Sequence, residues 1–245
     1  ACGRCDRCSA GRTAKCRSVR KVGHESFDGD WALSGGYAQH IVLPAGTCVV
    51  PVPDTVPDTV AAPAACATAT VMAALEAAGQ VQGRRVLICG AGMLGVTATA
   101  ACAVAGARVC AADPNPVRRD LAERFGARPD DGGLVDVAID FSGSPEAVAR
   151  CLDRLDVGGT LVLAGSVAPG PAVPLDPEAV VRRWLTVTGV HNYEPRHLGA
   201  AVDFLAGTTG TWPWDEVVGE PVGLDEIDRV LVPPGPGLLR AAVVP

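Results

Sequence analysis

Four cysteines, Cys2, Cys5, Cys8 and Cys16, follow one another with two, two and seven residues between them on a glycine-containing segment. Thiolates this close together can surround a tetrahedral metal ion and leave no open position, which is the arrangement of a structural zinc. Ferredoxin spacing would place the fourth cysteine three residues after the third and follow it with proline; here the gap is seven and no proline follows. Disulfide pairing is the other reading. No apolar leader opens the sequence, and ten cysteines without one fit a reducing cytoplasm better than a disulfide framework. Arg4, Arg7, Arg12, Lys15, Arg17, Arg20 and Lys21 accompany a single acid, Asp6, in this stretch, and would offset the charge of four thiolates.

A second motif, Gly90-Ala91-Gly92-Met93-Leu94-Gly95, follows the apolar run Val86-Leu87-Ile88-Cys89 and opens an Ala/Val-rich helical segment. A lone GxGxxG is weak; between a strand and a helix it is a dinucleotide-binding fingerprint. Gly90 permits the tight turn, Gly92 lets the backbone approach a pyrophosphate, and Gly95 lets helix and strand pack closely. The helix N-terminus offers free N–H groups to the anion. Asp113 stands 18 residues after Gly95, at the end of the next apolar run, where a carboxylate can accept from both ribose hydroxyls of an adenosine. A 2′-phosphate would meet like charge there, so NAD is favoured over NADP. The bland alternative is a tight strand–helix turn with an ordinary surface aspartate. Arg118, five residues on, lies along the adenine face or is a solvated helix arginine.

These motifs need elements to carry them. From Arg84 short apolar runs alternate with helical segments: strands at 86–89, 108–112, 135–141, 160–164 and 185–190, with helices to 105, to 125 and near 145–155. That alternation implies a doubly wound parallel sheet of the Rossmann kind. Between Ala127 and Val135 only seven residues remain, too few for a strand and its crossover helix, which together take at least about 10–12 residues. The sheet is therefore expected to be trimmed on the Asp113 side, with five or fewer parallel strands. Upstream, 38–43 reads as a short strand, 49–60 as a proline-rich connector and 61–78 as one buried helix ended by Gly79. Downstream come a helix at 197–205, a Trp-Pro-Trp turn, a short helix at 224–231 and a final strand at 239–244.

The order of these features resembles the zinc-dependent medium-chain alcohol dehydrogenases. A four-cysteine lobe, Gly35-Gly36-Tyr37-Ala38-Gln39-His40, Cys66-x3-Thr70 and the glycine fingerprint come first. Val135–Asp140, Gly158–Gly165 and Leu185–Gly189 follow, so the likeness covers nearly the whole chain. Gly23-His24-Glu25, Asp28-Gly29-Asp30-Trp31, Val181–Trp184 and His191–Leu198 are similar to a subgroup associated with phosphonate catabolism.

The resemblance implies an α/β protein: a Rossmann domain plus a partial GroES-like catalytic domain carrying the structural zinc lobe. It implies NAD(H)-linked interconversion of a small-molecule alcohol and an aldehyde or ketone, with a catalytic zinc acting on the alcohol oxygen. Cys66 matches the last protein ligand of that zinc, and Thr70 matches a residue beside the nicotinamide; otherwise Cys66 is a buried helix cysteine like Cys89, Cys102 and Cys110. The family's remaining catalytic ligands precede the four-cysteine lobe. The sequence, starting at Ala1, therefore reads as N-terminally incomplete, with one structural zinc and little turnover expected of the 245 residues themselves. Gly23-His24-Glu25 copies a ligand tripeptide but follows the lobe, so it reads as a surface loop; His40, His191 and His197 read as satisfied loop or helix-end histidines.

The expected division is 1–68 partial catalytic domain, 69–192 NAD-binding domain and 193–245 return to the catalytic domain. A homodimer or tetramer is implied, the dimer through the 185–190 edge. Net charge −6 and a pI near 5.2 argue against a nucleic-acid-coating surface, which sets aside a zinc-ribbon nucleic-acid binder. The apolar stretch 61–79 is broken by Pro63 and Glu76 and reads as a core helix, with no membrane contact. The alternative function is a non-catalytic NAD- and zinc-binding protein.

Overall fold

A computed structural model describes residues 1–26, 29–232 and 237–245. Asp28, part of one of the resemblance segments, lies outside the described residues. The first 57 residues run mainly as loops, with a one-turn helix α1 (Asp6–Ser9) inside the cysteine segment. The strand expected at 38–43 does not form. Among the described residues its one backbone tie is Val42 N–H to the Leu33 carbonyl at 2.9 Å, and Ile41, Val42 and Leu43 are exposed. A strand without neighbours to pair with is not stable alone.

The helix expected over 61–78 forms and ends at Gly79, but it is interrupted: α2 (Asp58–Ala61) leads through a π-helical turn (Ala64–Thr68) into α3 (Ala69–Ala78). Pro63 has no N–H to continue the ladder, so the backbone re-forms through a wide turn that starts at its carbonyl. By length and composition the run Asp58–Ala78 could cross a membrane. Half of it is buried inside the protein, with Ala67, Ala69, Val71 and Ala74 sealed in the core.

The sheet strands and their helices alternate as anticipated. In chain order they are β1 (Arg85–Cys89), α4 (Met93–Val104), β2 (Arg108–Ala112), α5 (Pro116–Arg124) and β3 (Val135–Asp140). Then come α6 (Pro145–Arg154), β4 (Leu155–Leu163), α7 (Pro177–Arg182), β5 (Thr186–Gly189) and α8 (Pro195–Thr208). All five strands are parallel in the order β2-β1-β3-β4-β5. Residues such as Val86, Ile88, Val109 and Ile139 face one core cluster, while Leu87, Cys89, Cys110 and Ala138 face the other. Burial on both faces explains why the strand sequences read as continuous apolar runs.

The trimmed edge is borne out. Among the described residues only Arg128 makes a parallel bridge beyond β2, to Cys110, and the chain then crosses straight to β3. Asp130 takes a bidentate pair from Arg154, Asp131 pairs with Arg85, and Arg154 Nε donates to the Gly133 carbonyl at 2.6 Å. These ion pairs pin the shortened link where a strand and helix would otherwise stand.

The C-terminal segment forms a 3-10 turn at Trp214–Glu216, β6 (Val222–Gly223), a 3-10 helix at Leu224–Arg229 and β7 (Val243–Val244). The final strand expected over 239–244 thus shrinks to two residues paired with β6, plus an Arg240–Val218 bridge. Trp214 packs edge-on against Phe125 and Phe204, fastening this segment to the nucleotide side of the molecule.

Candidate functional site

The glycine motif occupies the β1–α4 turn. Gly90 has φ +91°, and a Cβ there would meet the Ser142 backbone nitrogen at 2.9 Å. A Cβ on Gly95 would overlap the Gly90 carbonyl oxygen. Gly92 is different: nothing lies within 4 Å of where its Cβ would stand. The first and third glycines are therefore required by packing, while the second keeps open the space a ligand would use. Gly92 caps α4 without a side-chain partner, so the first-turn N–H groups of Met93, Leu94 and Gly95 face that space, at the positive end of the helix dipole.

A cleft of about 220 Å³ opens here, lined by Gly92, Met93, Leu94, Gly95, Arg118, Phe141, Leu239 and Arg240. Two guanidinium groups beside a helix N-terminus suit a pyrophosphate. Sequence reading missed Arg240: it arrives from the C-terminal segment, 145 residues after Gly95, and no local pattern marks it. At the tip of β2, the Asp113 carboxylate accepts from Ala91 N–H at 2.8 Å and from Asn115 N–H at 2.9 Å. Asp113 is thus held against the fingerprint loop, and its remaining lone pairs are free to accept from hydroxyls.

The four cysteine sulfurs Cys2, Cys5, Cys8 and Cys16 all lie within 4.8 Å of one another. Tetrahedral zinc–thiolate geometry asks for sulfur separations of about 3.8 Å, so the set fits zinc with small adjustments. Cys2 N–H and Ser18 N–H both donate to the Cys16 sulfur, at 3.2 and 3.3 Å, and hold its thiol below the usual range. Backbone donors also lower the Cys5 thiol to about 6, whereas burial and the Cys5 neighbour push Cys8 up to about 11. Backbone donors around sulfur are what a four-thiolate centre needs to stabilise its excess charge.

The lobe is docked through Glu194. Its carboxylate accepts from the backbone N–H groups of Thr13 and Ala14, at 3.1 and 2.9 Å, and from the Thr13 hydroxyl. Burial alone would raise the Glu194 pKa; these donors outweigh it, and the net shift is downward. Asn192, whose φ is +62°, donates to the Ala14 carbonyl, and Lys15 Nζ lies 2.7 Å from His191 Nδ1.

Cys66 stands exposed on the π-helical turn, not buried as the bland reading had it. Thr70 hydroxyl donates to the Cys66 carbonyl at 2.7 Å, and Tyr193 hydroxyl donates to the adjacent Ala65 carbonyl. Tyr193 titrates above its ordinary value, first through burial and then through the neighbouring Cys66 and Cys48. Cys66 therefore sits beside Thr70 and Tyr193. Among the described residues, however, the only metal-capable group of three or more is the four-cysteine lobe. A catalytic zinc needs three protein ligands, so the residues around Cys66 do not fit one. His24 Nδ1 turns to the Val22 carbonyl and His40 is exposed. His197 is satisfied on both nitrogens, by Glu194 N–H and by Glu76.

No family model matches the chain. It is similar to the L-threonine 3-dehydrogenase of Shewanella loihica, 31% identical over 210 residues that span 79% of this chain and 58% of the relative. The chain thus spans little more than half the length of the curated relatives it matches. A Sinorhizobium meliloti protein assigned as a zinc-binding dehydrogenase, solved with NADP, superposes with a TM-score of 0.87. It is 28% identical, and the match covers all of this chain and 74% of that one. An alcohol dehydrogenase from Thermotoga maritima shares the fold at TM-score 0.87 and 24% identity, over 94% of this chain and 69% of the other. The described residues carry the α/β Rossmann fold of zinc-binding dehydrogenase structures.

Proposed function

We propose that this chain is the NAD(H)-binding and zinc-lobed portion of an oxidoreductase that interconverts a small-molecule alcohol and its aldehyde or ketone. The observation that carries the reading is the cleft at Gly92–Gly95, where free helix N–H groups, Arg118 and Arg240 converge, with the Asp113 carboxylate held on the same loop through Ala91 N–H and lining the adjoining cleft. Arg118, expected along the adenine face, lines the helix N-terminus cleft instead, so with Arg240 it would hold the pyrophosphate; Met93 and Leu94 would give it their N–H groups, and Asp113 would accept from the adenosine ribose. Bound NAD supplies the hydride acceptor. Cys2, Cys5, Cys8 and Cys16 would hold Zn2+ as a structural ion. Cys66 and Thr70 would face the reacting end of the cofactor, with Tyr193 buttressing their turn.

The division 1–68, 69–192 and 193–245 follows from this reading. So does a reducing, cytoplasmic setting, which matches ten unpaired cysteines. A homodimer would form by edge pairing of β5, whose flank exposes Trp184 (80%) and Val181 (71%).

A second reading has its own support: Cys66 lacks partner ligands among the described residues. Under it the 245-residue chain binds NAD and zinc without catalysing. One experiment separates the two: zinc per chain together with NADH formation over a panel of primary and secondary alcohols. We expect one zinc and negligible turnover from these 245 residues, with activity recovered when the preceding segment of a full-length relative is joined to Ala1. Failure of that chimera to turn over, with NADH still bound, would favour the non-catalytic reading.

A further inference from the structure

Cys89 and Cys151 are buried, at 1% and 0% exposure, on the sheet face away from α4, with their sulfurs 3.3 Å apart. Cys89 is the last residue of β1, directly before Gly90, and Cys151 lies in the middle of α6. Neither belongs to the candidate zinc or nucleotide sites. We propose that Cys89 and Cys151 form a redox modification site that a hydroperoxide closes to a disulfide, tethering the end of β1 to α6.

A cleft of about 360 Å³ opens at the trimmed sheet edge, where the crossover helix is missing, lined in part by Ala112, Asp113, Pro129 and Arg150. It is bordered by neighbours of the pair and not by the two sulfurs, so the oxidant enters when α6 opens locally. Ala112 is the strand partner of Cys89 and packs in the same apolar cluster, and Arg150 is the residue before Cys151. The Cys151 thiol donates to the Cys89 sulfur, which favours thiolate at Cys89 and disfavours it at Cys151. The two cysteines thereby take different parts.

Cys89 thiolate attacks a peroxide oxygen; an S–O bond forms, the O–O bond breaks, and the departing hydroxide takes the proton Cys89 released. Cys151 sulfur then attacks the Cys89 sulfenic acid; the S–S bond forms, the S–O bond breaks, and the hydroxyl leaves as water with the Cys151 proton. Two thiols are oxidised and one hydrogen peroxide is reduced to two waters. The sulfurs must close from 3.3 Å to about 2.05 Å, which requires α6 to move toward the end of β1.

The test treats the folded, zinc-loaded chain with hydrogen peroxide, then denatures, alkylates, digests and maps it by mass spectrometry. Cys102 serves as internal control, since it is as deeply buried but has its thiol pushed up to about 12 by burial alone. The expected result is a Cys89–Cys151 linked peptide, reversed by a phosphine reductant, forming roughly tenfold or more faster than Cys102 is lost. In Cys151→Ala, Cys89 should oxidise more slowly, having lost the thiol that favours its thiolate, and should stop at sulfenic acid, trapped by dimedone. If Cys89 and Cys151 stay alkylatable as long as Cys102, or link only once the chain is unfolded, the proposal is wrong. Mapping the unaltered chain decides this even if the variant does not fold.

Discussion

Gly95 lies so close to Gly90 that a methyl group on its α-carbon would overlap the Gly90 carbonyl oxygen, while the same methyl on Gly92 would meet nothing within 4 Å. Two glycines of one motif therefore have separable tasks. Gly95→Ala should destabilise the domain by about 1–3 kcal/mol or more, because α4 must move off β1. Gly92→Ala should keep the melting temperature and weaken NADH binding, since its methyl fills the room for the pyrophosphate. Thermal unfolding and NADH titration of both variants check this; equal loss of stability in the two would refute the separation.

The zinc lobe should hold one ion per chain through four sulfur ligands near 2.3 Å, measurable by metal analysis and X-ray absorption. Removal of the metal by a chelator should loosen residues 1–18 and, through Glu194, the 191–194 loop. Hydrogen exchange should rise there and stay unchanged in β1 and β3. A spectrum dominated by nitrogen or oxygen ligands would contradict the assignment.

Glu76 links α3 to α8: it pairs with Arg196 at 2.5 Å and receives His197 Nε2 at 3.1 Å. Arg196 first, and His197 second, hold its carboxyl at about 2, below the ordinary 4.5. A depressed carboxylate pKa stabilises the fold above the unfolded value, and that contribution fades as pH falls from about 4.5 towards 2. Because Glu76 is half exposed, water screens the pair and the effect is small. Glu76→Gln should lower the urea midpoint slightly at pH 7, and the gap should narrow at pH 3. A gap that widens on acidification would show that the pairing does not operate.

The nucleotide-binding half was legible in the sequence because its signals are local. Buried parallel strands such as Val86–Cys89 are apolar throughout, and seven residues cannot hold a strand and a helix. What sequence reading missed depends on distant partners. Arg240 joins the cleft only through the fold of the C-terminal segment; His197 was rightly read as satisfied, but its partner Glu76, 121 positions away, carries no local signal. The apolar run 38–43 has strand composition, yet it has no neighbouring strand to pair with among the described residues. Pro63 signalled a break, but composition does not reveal that the chain continues as a π-helical turn placing Cys66 outward.

The central claim is that the fingerprint cleft, with Asp113 at the tip of β2, binds NAD(H), and the most direct measurement is a paired fluorescence titration of the unaltered chain with NADH and NADPH. The Asp113 carboxylate accepts from Ala91 N–H and would accept from the ribose hydroxyls, while repelling a 2′-phosphate. Hydrogen bonds to a charged group contribute about 1.5–3 kcal/mol, so NADH should bind at least about tenfold more tightly than NADPH. Asp113→Ala should narrow that gap from both sides. Saturable NADH binding with that preference is the predicted result. Absence of saturable NADH binding, or equal affinity for NADPH, would contradict the account.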